Sequence, residues 1–183
     1  MSMPLATYFS AEDVRALPDD GKRYETVHGE LLVTPAPQPM HQLVITRMTV
    51  LLHRYLDDAG LEGLLLSPAD ISWGDDTLVQ PDLFVADDAA AMRSGKWSDI
   101  TTLHLVVEVL SPPSLRADRF TKRRVYQEQR IPAYWIVDIE NRQVEVWTPD
   151  AIFPTIARDQ VRWRHPEITT DCVVELSTVF RVP

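Results

Sequence analysis

Two acidic residues lie in stretches of the sequence where an acid is unexpected. Asp82 follows a proline inside the apolar segment Thr77–Val85, and Glu108 lies within the nearly continuous apolar run Leu103–Leu110. Aspartate is disfavoured in strands, and a buried carboxylate must be paired, protonated or bound to a metal, because an isolated charge is too costly to bury. Two such acids on neighbouring strands would make a hard-oxygen site suited to Mg²⁺ or Mn²⁺.

Each acid also has a simpler interpretation. Asp82 follows Pro81, which is typical of an edge strand, so its side chain would point to solvent. Glu108 would pair with an arginine of the basic segment that follows it, or lie at an interface. Both alternatives stay open from the residues alone.

Three further residues are candidates by their type and position. Lys122 lies four residues after Asp118, and on an exposed helix this spacing gives a salt bridge of about 0.3–0.5 kcal/mol. Glu30 comes directly after a predicted hairpin turn, where an exposed charge is the simpler interpretation. His41 opens the long helix predicted at Met40–Asp58, and a histidine at a helix terminus is more often structural.

The elements that must position these residues follow from the spacing of apolar side chains. Met40–Asp58 is the clearest helix, with an apolar stripe at helical spacing, and Leu115–Gln129 is predicted as a second helix with Ser114 as its N-cap. Capping-box spacing predicts a short helix at Ala11–Leu17. The predicted strands are Arg23–Val27, Glu30–Thr34, Leu61–Leu66, Ala69–Trp73, Thr77–Val85, Leu103–Leu110, Ala133–Asp138 and Gln143–Thr148. Gln160–Arg164 and Cys172–Leu176 are predicted to be short strands or irregular tail. The segment Asp87–Ile100 is predicted to be a surface loop with one helical turn.

The bulk composition indicates one globular domain. The chain has 183 residues, 45% hydrophobic and 25% charged, which suits a single domain spanning 1–183. The net charge of −9 argues against a general nucleic-acid coat protein, since phosphate contacts supply most non-specific affinity. The basic residues are concentrated, however: six of the 18 lie at Arg116, Arg119, Lys122, Arg123, Arg124 and Arg130. This local charge is compatible with nucleic acid and equally with an ordinary solvated helix.

Several classes of protein lack support in the sequence. Cys172 is the single cysteine, so no intrachain disulfide forms, which fits a cytoplasmic protein. No apolar run reaches the roughly 20 residues of a membrane span, and residues 1–20 do not have the pattern of a signal peptide. No Gly-rich nucleotide-binding motif and no zinc-ligand spacing is present, so no nucleotide cofactor is expected.

Several short motifs in order resemble one known family. Tyr24-Glu, Gly29-Glu30-Leu, Pro39-Met-His41, Gln80-Pro81-Asp82-Leu, Glu108-Val-Leu-Ser-Pro, the helix with Asp118 and Lys122, and Ala-Tyr134-Trp-Ile-Val-Asp138 are similar to the Uma-type restriction endonucleases. That family is a bacterial branch of the PD-(D/E)XK nuclease superfamily. The resemblance covers roughly residues 20 to 150.

The resemblance implies a fold and a site. The fold is α/β, with a restriction-endonuclease-like αβββαβ core and a mixed central sheet of five or six strands flanked by helices. The parts would be an N-terminal helix and hairpin at 10–34, a nuclease core at about 39–148 and a C-terminal tail at 149–183. Asp82, Glu108 and the carbonyl of Val109 would hold Mg²⁺ or Mn²⁺. Lys122 would orient or deprotonate the attacking water, and Glu30 and His41 would assist.

One position departs from the general superfamily pattern. The catalytic lysine usually lies two residues after the glutamate, where this chain has Leu110. The Uma-type family resembles this chain in having leucine there, with a lysine offered from the following helix. The implied activity is metal-dependent hydrolysis of DNA by a homodimer. The alternative is a non-catalytic interaction or metal-binding module that retains the nuclease fold.

Overall fold

The computed structural model describes residues 7–182. Residues 1–6 of the N-terminal segment 1–20 and residue 183 of the tail predicted at 149–183 lie outside the described residues. Residues 7–182 form twelve strands, five α-helices, one 3₁₀ helix and one π-helix. In chain order they are α1 (Ala11–Arg15), β1 (Arg23–Val27), β2 (Glu30–Thr34), α2 (Pro39–Asp57), β3 (Leu65–Leu66), β4 (Ile71–Ser72), β5 (Leu78–Val79), β6 (Leu83–Ala86), α3 (Ala90–Ser94), the 3₁₀ helix (Trp97–Asp99), β7 (Leu103–Val109), the π-helix (Ala117–Lys122), α4 (Arg123–Glu128), β8 (Tyr134–Asp138), β9 (Gln143–Trp147), β10 (Thr155–Ala157), β11 (Gln160–Trp163), β12 (Cys172–Glu175) and α5 (Leu176–Val179).

A mixed six-stranded sheet forms the centre of the protein, in the order β10-β9-β8-β7-β6-β3. Strands β7 and β8 are parallel, and the remaining neighbours are antiparallel. The parallel pair is possible because the helical segment between them returns the chain to the same end of the sheet. The predicted α/β class and mixed central sheet are confirmed.

Helix α2 covers one face of this sheet. Its buried residues Val44, Met48 and Leu52 pack with the alternate β7 residues Leu105 and Val107. The antiparallel hairpin of β11 and β12 and helix α5 complete the same core. Cys172 of β12 is buried there, and burial raises the pKa of its thiol to about 11.

The opposite face carries a second sheet as well as the helical segment after β7. This four-stranded sheet has the order β2-β1-β5-β4, and its apolar side chains pack with α4 and the central sheet. Because strand side chains alternate, Val106 and Glu108 of β7 point to this face, whereas Val107 and Val109 point toward α2. Glu108 is therefore enclosed between β7, the helical segment and the second sheet.

The segment Thr77–Val85 is two strands and not the single strand that the sequence predicts. Leu78–Val79 belongs to the second sheet, and Leu83–Ala86 belongs to the central sheet. The chain passes from one sheet to the other at Gln80-Pro81-Asp82, because Pro81 has no N–H for a ladder and the Gln80 N–H donates to Glu25 Oε1 at 2.7 Å. Asp82 thus lies just before its strand.

The predicted helix Leu115–Gln129 also differs in its interior. Residues 115 and 116 are α-helical, Ala117–Lys122 is a π-helix and Arg123–Glu128 returns to α-helix. A π-turn, with its i→i+5 hydrogen bonds, is wider than an α-turn and is common at functional sites. Asp118 and Lys122, four residues apart on this turn, are both buried.

Other boundaries are shorter than predicted. The predicted strands at Leu61–Leu66 and Ala69–Trp73 are reduced to β3 and β4, and the loop Asp87–Ile100 contains α3 and the 3₁₀ helix. The hairpin β1–β2, with a turn at His28-Gly29, matches its prediction residue by residue. Among residues 7–182, no helix is long and apolar enough to span a membrane.

Candidate active site

Asp82 and Glu108 lie side by side at the end of the central sheet. Leu83 pairs with Val107 across β6 and β7, so the preceding Asp82 lies next to Glu108. The Val109 N–H donates to Asp82 Oδ2 at 2.8 Å, which fixes the Asp82 side chain against β7. The two acids are 2% and 1% exposed. The pairing of two distant segments thus produces one buried carboxylate pair.

Asp82 is surrounded by donors that favour its ionised form. Arg23 Nη1 lies 2.9 Å from Oδ1, and His41 Nε2 lies 3.3 Å from Oδ2. Burial by itself raises the pKa of Asp82, but His41, Arg23 and the Val109 N–H together lower it to about 2. Asp82 is therefore a carboxylate at neutral pH.

Glu108 lies in a more acidic environment. Its Oε1 accepts hydrogen bonds from Lys122 Nζ at 3.0 Å and from the Tyr126 hydroxyl at 2.9 Å. Burial raises the pKa of Glu108, Lys122 lowers it, and the neighbouring acids Asp118 and Asp82 raise it further, to about 8. The proton affinity of Glu108 is therefore far higher than that of Asp82.

Lys122 lies at the centre of a ring of acids. Its Nζ is 2.8 Å from Glu25 Oε1, 3.0 Å from Glu108 Oε1 and 3.5 Å from Asp118 Oδ1. Burial lowers the pKa of Lys122, but the charges of Glu108, Glu25 and Asp118 outweigh it and raise the pKa well above its ordinary value. The amine is therefore protonated and acts as a donor.

Glu25 and Arg23 belong to the cluster although the sequence does not single them out. Both come from β1, and Glu25 is 1% exposed. Glu25 Oε1 accepts the Gln80 N–H and lies against Lys122, so it connects the turn before Asp82 with the π-helix. Glu25 could have been found from the sequence by the argument used for Asp82, because an acid inside a strand flanked by β-formers is unusual.

Glu30 is not brought to this cluster. It is exposed at the start of β2 and lines a separate small depression with His28, Phe120 and Arg124. His41, by contrast, is 7% exposed and lies against Asp82. The structure thus gathers Asp82, Glu108, Lys122, His41 and the Val109 backbone, and leaves Glu30 outside.

The cluster contains more acidic than basic side chains. Four carboxylates (Glu25, Asp82, Glu108 and Asp118) are at most 2% exposed, and Lys122 and Arg23 are the two permanent cations paired with them. Three buried polar atoms here have no hydrogen-bond partner: Glu25 Oε2, His41 Nδ1 and Asp118 Oδ1. A divalent cation would compensate the ionised forms of these acids, so the donor set fits Mg²⁺ or Mn²⁺.

The acids do not form a complete metal cage by themselves. Within residues 7–182, no group of three or more histidine, cysteine, aspartate or glutamate side chains is spaced to hold a metal ion. The expected set has only two acidic side chains, Asp82 and Glu108, and relies on a backbone carbonyl and water for the other ligands. Mg²⁺ is commonly held in this way.

The cluster forms the floor of an open cleft of about 400 Å³. One wall is the connector Pro35-Ala36-Pro37 before α2, and the other is the turn Ser111–Ser114 after β7. Lys22 and Arg23 lie along its side. The acids are therefore reached from solvent through one defined opening.

The fold and the buried carboxylate site define a restriction-endonuclease-like α/β protein. A solved structure described as a putative nuclease belonging to DUF820, from Anabaena variabilis, has the same fold, with a TM-score of 0.72 at 15% sequence identity over 94% of this chain and 97% of that one. The family model described as "Uma2: Putative restriction endonuclease" matches residues 11–168. The chain belongs to the Uma2 family. A search of curated proteins gives no match.

Proposed function

We propose that this protein is a metal-dependent endonuclease that hydrolyses DNA phosphodiester bonds. The observation that carries the proposal is the buried cluster around Asp82 and Glu108, whose excess of acids over bases suits a divalent cation at the floor of an open cleft. Membership of a restriction-endonuclease-like family supports DNA as the substrate.

The residues have separate roles in this proposal. Asp82, Glu108 and the Val109 carbonyl would hold Mg²⁺ or Mn²⁺. The bound cation supplies Lewis acidity, which makes water a nucleophile at neutral pH and offsets charge on the departing oxygen. Arg23 and His41 hold Asp82 ionised and in place.

Lys122 serves as a hydrogen-bond donor in the proposed reaction. Its surrounding carboxylates keep it protonated, so it would orient the attacking water or stabilise the charge that develops on the phosphoryl oxygens. The sequence leaves open whether this lysine orients or deprotonates the water. The acids within 3.5 Å of Nζ favour the orienting role.

The proposal is tested with Glu108→Gln, which keeps the size of the side chain and removes its charge. Hydrolysis of mixed single-stranded and plasmid DNA in Mn²⁺ should fall by about 10²-fold or more, as is typical when a group that stabilises the transition state is lost. Glu62→Gln is the matched control, because Glu62 is exposed and outside the cleft. Full activity in Glu108→Gln would refute the assignment.

The alternative is a non-catalytic module that keeps the nuclease fold. The observation in its favour is that Lys122 Nζ lies 2.8 Å from Glu25 and 3.0 Å from Glu108, so a cation of the protein itself pairs with both acids. Such a module would bind nucleic acid or metal without turnover. Failure of the wild-type protein to cleave any DNA form in Mg²⁺ or Mn²⁺ would favour it.

We also propose that two copies associate, as the family resemblance implies, in a cytoplasmic setting. Ile152 and Phe153 are 81% and 82% exposed, and they precede β10, which is an edge strand of the central sheet. Light scattering should show a dimer for the wild type and a shift toward monomer for Phe153→Asp. A wild-type protein that is monomeric at high concentration would refute the association.

A further inference from the structure

Several cations of the basic helical segment beside the site are engaged by the protein itself. Arg119 Nη2 lies 2.7 Å from Asp138 and 2.6 Å from Glu145. The guanidinium of Arg123 lies 4.6 Å from the ring centroid of Trp147, as in a cation–π contact. These contacts hold the helical segment on the central sheet. The guanidinium groups of Arg119 and Arg123 are therefore less available to a ligand.

The other basic residues of the segment add little to a continuous surface. Lys122 is buried among acids, and Arg130 Nη1 lies 2.5 Å from Asp150 Oδ1. Arg116 and Arg124 are exposed, and Arg124 lines the separate depression beside Glu30. In a chain of net charge −9, this leaves few cations for the row of phosphate contacts by which proteins hold duplex DNA.

The reactive groups lie at the floor of a small cleft with stiff walls. Asp82 and Glu108 are 2% and 1% exposed, and the cleft has a volume of about 400 Å³. Pro35 and Pro37 form one wall, and the Pro112-Pro113 turn forms the other. Because proline fixes its φ angle, these walls resist opening. The volume is that of a small-ligand pocket, about 300–1,000 Å³.

A phosphate in the interior of a duplex does not readily reach such a floor. Duplex DNA is stiff, with a persistence length of about 50 nm, and bending it costs free energy that extra contacts must offset. The basic helical segment, several of whose cations are engaged by the protein, supplies few contacts to duplex phosphates. An unpaired strand is thin and flexible, so its backbone can enter a narrow cleft without the bending cost of a duplex.

We propose that the substrate is an unpaired DNA strand, as in single-stranded DNA or an overhang, with one or two nucleotides entering the cleft. This inference rests on the nuclease function proposed above and adds the form of the substrate. Lys22 and Arg23 line the cleft, where they pair with Asp20 and Asp82, and they contact the phosphates beside the cleaved bond when the strand is bound. No phenylalanine, tyrosine or tryptophan is among the described residues that line the cleft, so the bases pack on proline rings and base preference is weak.

The first experiment compares two circles of identical sequence, one single-stranded and one a relaxed, covalently closed duplex. Both lack ends, so the comparison isolates strand pairing. In Mn²⁺ the single-stranded circle should be cleaved at least about tenfold faster, a difference of about 1.4 kcal/mol. Equal or faster cleavage of the closed duplex overturns the inference and leaves the nuclease function intact. Cleavage of neither circle overturns the nuclease function.

The second experiment measures binding and needs no turnover. Fluorescence anisotropy with a labelled single strand and the matching duplex, using Glu108→Gln, gives the dependence of affinity on salt. We expect tighter single-strand binding with a shallow slope, about −0.7 for each of two phosphate contacts. Tighter duplex binding with a slope steeper than about −5, as six or more contacts would give, overturns the inference whatever the activity.

A matched pair of variants locates the contacts. Lys22→Gln should reduce the single-strand salt slope by about 0.7, because Lys22 lines the cleft and its side chain is 50% exposed. Arg124→Gln removes the same charge from an exposed position outside the cleft and should leave slope and affinity unchanged. The reverse result, with Arg124 required and Lys22 dispensable, overturns the placement of the strand.

Discussion

Glu25 joins two parts of the candidate site that are far apart in the chain. One of its oxygens accepts the Gln80 N–H at 2.7 Å and lies 2.8 Å from Lys122 Nζ. It therefore positions the turn that carries Asp82 and the side chain proposed to donate to the phosphate. The contribution of Glu25 to the site is one of orientation and charge.

Glu25→Gln should reduce DNA hydrolysis by about 10²-fold, since misplaced or mischarged groups at a reacting centre commonly cost that much. Glu30→Gln, five residues further along, removes the same charge from the exposed start of β2 and should retain wild-type activity. Initial rates of both variants on single-stranded DNA provide the measurement. Equal losses in the two variants would mean that the hairpin acts as a unit and that Glu25 has no special role.

Asp118 illustrates the energetic cost of the acidic cluster. Burial raises the pKa of Asp118, Lys122 lowers it, and nearby acids including Glu25 raise it again, for a net increase. A raised carboxyl pKa means that the folded protein holds the proton more tightly than the unfolded chain. Its favourable contribution to stability is present at low pH and is lost as the pH rises through the folded pKa.

Asp118→Asn should therefore raise the free energy of unfolding by about 1 kcal/mol at pH 8, because it removes a buried charge that lacks full pairing. The gain should be smaller at pH 4, because the raised pKa of Asp118 favours its protonated form in the folded protein. Denaturant unfolding of the metal-free proteins at the two pH values measures this. A gain of equal size at both pH values would assign the effect to packing and not to charge.

For single residues, the sequence predicts the acids Asp82 and Glu108 better than the residues that contact them. Asp82 and Glu108 are visible because an acid in an apolar strand is unusual, and His41 because it opens a helix after a proline-rich connector. Arg23 and Glu25 become recognisable only when β1 is placed against the turn at Gln80. That contact joins residues more than fifty positions apart, and no local pattern encodes it.

The elements around the site owe their positions to breaks in regular structure. The strand break at Pro81 moves the chain between two sheets, and the π-turn at Ala117–Lys122 brings two charged residues inward. The sequence predicts one strand and one regular helix here, because apolar periodicity does not register a single missing N–H or one widened turn. The long helix α2 and the β1–β2 hairpin were predictable since their patterns are strong and local.

The C-terminal hairpin contains a histidine whose environment is sensitive to acid. His165, 0% exposed, packs edge-on against His104 with ring centroids 4.8 Å apart, and its Nδ1 accepts the Glu167 N–H. Burial and His104 lower the pKa of His165, while Glu167 and Asp87 oppose this. A lowered histidine pKa gives stability that is present above pH 6.5 and lost as the pH falls through the folded pKa.

His165→Asn should flatten this loss, because asparagine keeps an acceptor for the Glu167 N–H and does not titrate. The wild type should lose more stability than the variant between pH 7 and pH 5, because the lowered pKa of His165 makes proton uptake less favourable in the folded protein than in the unfolded chain. Unfolding midpoints in urea at both pH values give the comparison. Parallel losses in the two proteins would show that His165 is not the titrating group.

For the whole molecule, the acidic cluster links metal binding to folding. The metal-free protein confines four carboxylates with two permanent cations in its interior, so a cation that binds only the folded state adds stability by mass action. This local excess of acids would suit a bound cation, whereas the net charge of −9 of the whole chain is unfavourable for a DNA-binding surface.

Mn²⁺ at 100 times its dissociation constant should stabilise the wild type by about 2.7 kcal/mol. Glu108→Gln should lose most of this shift, whereas Glu62→Gln should keep it. Thermal unfolding with increasing Mn²⁺, and with Ca²⁺ for comparison, provides the measurement. No shift in the wild type would argue for a non-catalytic interaction module without a metal site.

The single buried thiol at Cys172 makes the protein convenient for labelling. Its pKa of about 11 and its position in the core keep it largely unreactive toward thiol reagents in the folded protein. A cysteine placed at Ala36, on the proline wall of the cleft, would then be the reactive thiol among residues 7–182. A fluorophore on that cysteine would report whether a DNA strand enters the cleft and how quickly it leaves. Cys172 would not have to be removed first.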